Sequence, residues 1–123
     1  MNKIKETISN LIIGNLLTVK DKKVEILSNI KSTVREVDKQ AEVILFGSQS
    51  RDEENEHSDW DILILSSKPT NLKNEQTFRH KLFELELIYG VALSTFVYSK
   101  TEWKNKHYIT PFYQNIQKDG IKL

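Results

Sequence analysis

Glu42-Val43-Ile44-Leu45-Phe46-Gly47-Ser48 and, ten residues further on, Asp59-Trp60-Asp61-Ile62-Leu63-Ile64-Leu65 are the two stretches that decide the fold. Each has a β-branched or strongly apolar body about the length of one buried strand. The first runs straight into a glycine and a serine, whereas the second opens on two acids. A polar loop, Gln49 to Ser58, joins them. Residues two apart in a strand point to the same face, so Asp59 and Asp61 stand about 7 Å apart at the backbone and converge on one cation. Mg2+ takes one or two carboxylates and fills its other positions with water and phosphate oxygens. The plainer reading makes both acids solvated residues at a strand start. Yet two acids at the mouth of a run as apolar as Ile62-Leu63-Ile64-Leu65 are costly unless a partner neutralises them.

Gly47 and Ser48 follow directly after the first strand. Glycine reaches a backbone conformation closed to other residues and lets a phosphate approach the amides closely. The serine hydroxyl and exposed N–H groups can then grip a triphosphate. By itself the pair is also an ordinary turn. Arg51, three residues beyond Ser48, is in reach of the same phosphates; as a surface residue it would instead pair with Asp52 or Glu54. Trp60 points opposite to the acids and belongs to the core. Ser58 shapes the loop, and His57 is given no role.

Outward from these strands the periodicity is helical. Ile4, Ile8, Leu11 and Ile12 mark a first helix, weakened at Gly14 and Asn15. Val24, Leu27, Ile30, Val34 and Val37 make a continuous stripe over residues 22–37, ended by Asp38 and Gln40. Phe78, Leu82, Leu85 and Tyr89 predict a helix over roughly residues 75–89, with Gly90 as its left-handed C-terminal residue. Val91 to Tyr98 returns to strand character. Ser99-Lys100-Thr101-Glu102 matches a capping box before Trp103. Thr110-Pro111 opens a last helix that Gly120 stops. The expected class is α/β of the α+β type: a small mixed sheet flanked by helices.

At 123 residues the chain fits one domain, residues 1–123, with residues 1–21 as an N-terminal helical extension. It contains no cysteine, which excludes disulfides and thiolate metal sites and suits a reducing, cytoplasmic setting. Leu11-Ile12-Ile13 is too short for a signal-peptide core or a membrane span. The net charge of +1 gives no strong nucleic-acid signal. Six of the seventeen acids fall within residues 51–61, a cluster that invites a cation.

Strand, Gly47-Ser48, ten residues and Asp59-x-Asp61 on the next strand together resemble the signature of the polymerase-β-like nucleotidyltransferase superfamily. Phe46-Gly47-Ser48-Gln49-Ser50-Arg51 and Ser58 to Leu65 are similar to its minimal, single-domain branch, as is the tail Val97 to Trp103. The resemblance spans roughly residues 22 to 123. It implies the polymerase-β-like fold, with Gly47 and Ser48 holding the β- and γ-phosphates of a nucleoside triphosphate such as ATP. Asp59 and Asp61 would bind Mg2+ bridging those phosphates. The implied reaction is in-line attack by a hydroxyl acceptor on the α-phosphorus, with pyrophosphate leaving. The branch often works beside a separately encoded helical partner protein, in some pairs as an antitoxin that modifies a toxin; a homo-oligomer is also open.

Catalytic members add a third acid on the next strand. Its expected place lies in Gly90-Val91-Ala92-Leu93-Ser94, most naturally at Ala92, which shares a face with Ser94 and Phe96. Glu84 and Glu86 read as exposed helix residues. Without a third acid, two further functions stand beside the enzyme. One is a catalytically degenerate module that binds nucleotide or partner, and the other is a structural domain whose acids anchor a cation.

Overall fold

The computed structural model describes residues 22–51 and 59–123. The helix expected near the N-terminus, the extension 1–21, His57 and Ser58 lie outside these residues. Helix α1 occupies residues 22–37 as the stripe predicted. Its buried line is Ile26, Ile30 and Val34, with Leu27 and Val37 packed beside it. Val24 was expected on that line but is 66% exposed. At 3.6 residues per turn it sits about 120° round the helix from the line's centre.

Strand β1 is Glu42–Phe46, followed by one 3-10 turn, Gly47–Gln49; β2 is Trp60–Ser66. Helix α2, Leu72–Tyr89, leads to β3, Leu93–Ser99, then to α3, Lys100–Lys106, α4, Pro111–Asp119, and the two-residue β4, Ile121–Lys122. The sheet order is β3-β2-β1-β4. β1 is antiparallel to β2 and β4, while β2 and β3 are parallel, so the sheet is mixed as expected. β4 was not foreseen, because two residues carry no periodicity.

The central strand is covered on both sides, which explains its unbroken apolar run. Trp60, Ile62 and Ile64 join Val43, Leu45, the α1 line and Phe78, Leu82 and Leu85 of α2 in one core. Leu63 and Leu65 join Trp103 and Ile116 in a second, beneath α3 and α4. By alternation Asp61 faces the side of Leu63, at the end of the strand that this second core leaves uncovered.

Local chemistry sets the boundaries. Asn71 caps α2 by accepting the Asn74 N–H at 2.9 Å, so the helix starts three residues before its periodicity shows. Gly90, at φ 65°, closes it. Ser99 accepts the Glu102 N–H at 3.0 Å and Thr110 the Tyr113 N–H at 3.1 Å, as both capping signals required. Glu86 is more than an exposed helix residue: its carboxylate accepts the Leu93 N–H at 2.7 Å and fixes the start of β3.

Asp38 ties the end of α1 to the end of β2. Buried to 6% exposure, it accepts from the Ser66 hydroxyl at 2.9 Å, the Ser67 N–H at 2.8 Å, the Ser67 hydroxyl at 2.7 Å and the Gln40 N–H at 3.1 Å. Burial opposes its ionisation, but these bonds together outweigh burial and hold the carboxyl below its ordinary range. A carboxyl lowered on folding stabilises the fold above its unfolded pKa and loses that contribution as pH falls through the folded value. Asp38→Asn is therefore expected to cost about 1–3 kcal/mol at neutral pH. The difference from the parent, measured by urea unfolding, should shrink as the solution is acidified below the ordinary carboxylate range; a difference independent of pH would show that charge plays no part.

Candidate functional site

The antiparallel ladder between β1 and β2 pairs Phe46 with Asp61. The residue after Phe46 therefore arrives beside the Asp61 side chain. It is Gly47, at φ 72°, in the left-handed region that side chains disfavour. A Cβ built there would overlap the Asp61 Oδ2 atom and lie 3.1 Å from its Cγ. Two constraints thus select glycine, and the carboxylate lies open against the bare backbone of the turn.

The turn is held from several sides. The Gly47 carbonyl accepts from the Ser50 N–H at 3.1 Å and the Ser50 hydroxyl at 2.7 Å; the Ser48 carbonyl accepts from the Arg51 N–H at 3.2 Å. Lys23 of α1 donates to the Gln49 carbonyl at 2.7 Å. Gln49, which the sequence reading passed over, is buried. Arg51 lies 3.9 Å from Asp119 at the end of α4, a partly exposed pair of small energetic weight.

Partial burial pushes the Asp61 carboxyl above the usual carboxylate range; the charge of Asp59 adds to this, and Arg51 opposes it. Two facing acids that repel each other, one of them partly desolvated, make a donor set suited to a hard cation. Among the described residues no group of three or more His, Cys, Asp or Glu side chains is placed to hold a metal ion.

Two residues fall where a third acid is expected. Ala92 stands one residue ahead of β3; it is exposed, and its carbonyl accepts the Trp60 N–H at 2.9 Å. The side chain that reaches the aspartates is Ser94, register partner of Asp61, whose hydroxyl donates to Asp59 Oδ2 at 3.2 Å. Alternation puts Ala92 and Ser94 on one face, and the parallel register sets Ser94 beside Asp61 with Ala92 just ahead of the ladder. Neither is an acid.

Phe46, Phe96 and Phe112 close the apolar side of the site, with ring centroids 5.4–5.7 Å apart. A cavity of about 270 Å³ lined by Phe46, Gly47, Arg51, Phe112, Asn115, Ile116 and Asp119 opens beside the turn. A larger one, of about 370 Å³, is lined by residues such as Ser67, Ser99 and Thr101, at the far end of β2 and β3 from the acids.

The nucleotidyltransferase domain model matches residues 27–123. The chain belongs to that family. A Methanocaldococcus jannaschii protein, whose name of protein adenylyltransferase is itself provisional, is 30% identical over 102 residues, covering 81% of this chain and 97% of its own. A chain in the crystal structure of a toxin-antitoxin with AMP-PNP shares the fold at a TM-score of 0.58 and 18% identity, over 77% of this nucleotidyltransferase and 69% of that chain. No helix among the described residues is long and apolar enough to cross a membrane.

Gly47→Ala is expected to destabilise the nucleotidyltransferase by more than the roughly 1–2 kcal/mol of the left-handed backbone alone. In an Asp61→Ala background the overlap is gone and the cost should fall to that backbone part, a coupling that a double-mutant cycle of urea unfolding reads directly. Equal costs in both backgrounds would mean that the carboxylate does not lie against Gly47.

Proposed function

We propose that this nucleotidyltransferase transfers a nucleoside monophosphate, AMP from ATP, to a hydroxyl on a separately encoded helical partner protein. The observation that carries the proposal is the contact of a bare glycine backbone with one of two same-face carboxylates. Gly47 and Ser48 hold the terminal phosphates, and Arg51 offsets their charge. Asp59 and Asp61 hold Mg2+. When bound, the ion neutralises phosphate charge and makes the α-phosphorus more open to attack. Desolvation and mutual repulsion raise the cost of two ionised acids in the metal-free protein, so the chain is poised for a cation rather than balanced without one. The phenyl ring of Phe96, 39% exposed and two residues along β3 from Ser94, offers the base a stacking surface.

The name of the Methanocaldococcus jannaschii relative supports adenylyl transfer, and the toxin-antitoxin context of the structural neighbour supports a protein partner. The cysteine-free sequence agrees with work in the cytoplasm.

One observation favours a second reading. Ala92 and Ser94 lie where the family's third acid would accept the proton of the attacking hydroxyl, and neither an alanine nor a serine is a useful base at neutral pH. On that ground the second reading is a module that binds nucleotide and partner without turnover. Pyrophosphate release, followed with ATP, Mg2+ and the helical partner, separates the two. The transferase reading expects slow release, lost in Asp59→Asn/Asp61→Asn and raised by Ser94→Asp by about 10²-fold, toward the low end for a positioned base. Release unchanged in the double variant would remove the site assignment. Nucleotide binding with no release from either the parent or Ser94→Asp would establish the second reading.

A further inference from the structure

We infer that Ser94 is itself an acceptor, so that the chain can attach a nucleoside monophosphate to its own β3. The inference rests on the nucleotide-binding reading above and adds a covalent step to it.

Three neighbouring strands line up at this end of the sheet. Phe46 ends β1 and Gly47 follows it, Asp61 lies on β2 opposite Phe46, and Ser94 lies on β3 opposite Asp61. Adjacent strands are about 4.8 Å apart, so the phosphate turn and Ser94 are separated by about 10 Å. An extended triphosphate has a comparable reach. Anchored by its terminal phosphates at Gly47 and Ser48 and running across Asp61, it brings its α-phosphorus toward β3, where the side chain waiting is a hydroxyl.

That hydroxyl is already oriented. Ser94 Oγ donates to Asp59 Oδ2 at 3.2 Å, which holds the oxygen at the edge of the two-acid site. A serine hydroxyl fixed beside the reacting centre can take the place of an external nucleophile. In the step, Oγ forms a bond to the α-phosphorus and the bond from that phosphorus to the bridging oxygen of the β-phosphate breaks. Pyrophosphate leaves with that oxygen. The Oγ proton passes to solvent. The product is a phosphodiester linking Ser94 to the nucleoside. A carboxylate at this position would serve an external acceptor; a serine offers a second acceptor beside the partner's hydroxyl.

The test uses the full chain with ATP and Mg2+, followed by intact-mass measurement, peptide mapping and, in parallel, thermal unfolding. The expected result is a mass increase of one nucleoside monophosphate, mapped to Ser94, absent with chelator and absent in Ser94→Ala. Ser94→Thr, which keeps a hydroxyl, should retain a slower form of the same modification. Ser94→Ala should still be stabilised against heat by ATP with Mg2+, because the ligands of the phosphates and the cation are intact. A parent that is stabilised by the nucleotide but never gains mass would overturn the inference and leave the nucleotide site standing. An adduct on another residue, or one that persists in Ser94→Ala, would overturn it too. Absence of nucleotide stabilisation in the parent would instead remove the underlying site.

Discussion

The contact between the backbone of Gly47 and the carboxylate of Asp61 is the constraint around which this end of the molecule is arranged. It exists because β1 and β2 pair antiparallel with Phe46 opposite Asp61, which delivers the next residue to the flank of the acid. A residue with a Cβ would have to displace the carboxylate and adopt a left-handed backbone at the same time. The strain that other residues would meet is thus avoided by a choice of one amino acid. What remains is a notch with bare backbone on one side and negative charge on the other.

Such a notch is unfavourable in isolation. Asp61 is partly desolvated, and Asp59 adds like charge. The surroundings make the arrangement tolerable by rigidity rather than by neutralisation. β2 is gripped by cores on both faces, so its register cannot slip to move the acids apart. Lys23 clamps the turn from α1, and Asp38 locks the far end of β2 to the same helix. Stability stored in the apolar body of the sheet therefore supports an end that by itself lowers stability, the pattern expected where a ligand supplies the missing charge.

Much of this is legible in the sequence. β1 coincides with its β-branched run, and the caps at Ser99 and Thr110 and the glycine stop at Gly90 follow from local hydrogen bonding that sequence spells out. Same-face placement of Asp59 and Asp61 follows from the two-residue period of a strand. What failed depends on contacts between distant segments. Val24 satisfied a helical period, but which side of α1 meets the sheet is a tertiary fact. The bond from the Ser94 hydroxyl to Asp59 exists only once β2 and β3 pair. Glu86 read as surface because its partner, the Leu93 N–H, is presented only once the chain turns back. Arg51 meets Asp119, sixty-eight positions away in sequence, which no local pattern announces.

The most direct measurement is calorimetric titration of the metal-free chain with ATP, with and without Mg2+, in the parent and in Asp59→Asn/Asp61→Asn. The account requires Mg2+-dependent binding by the parent that is lost in the double variant while its circular dichroism stays native. Equal affinity in parent and variant, or binding indifferent to Mg2+, would contradict it.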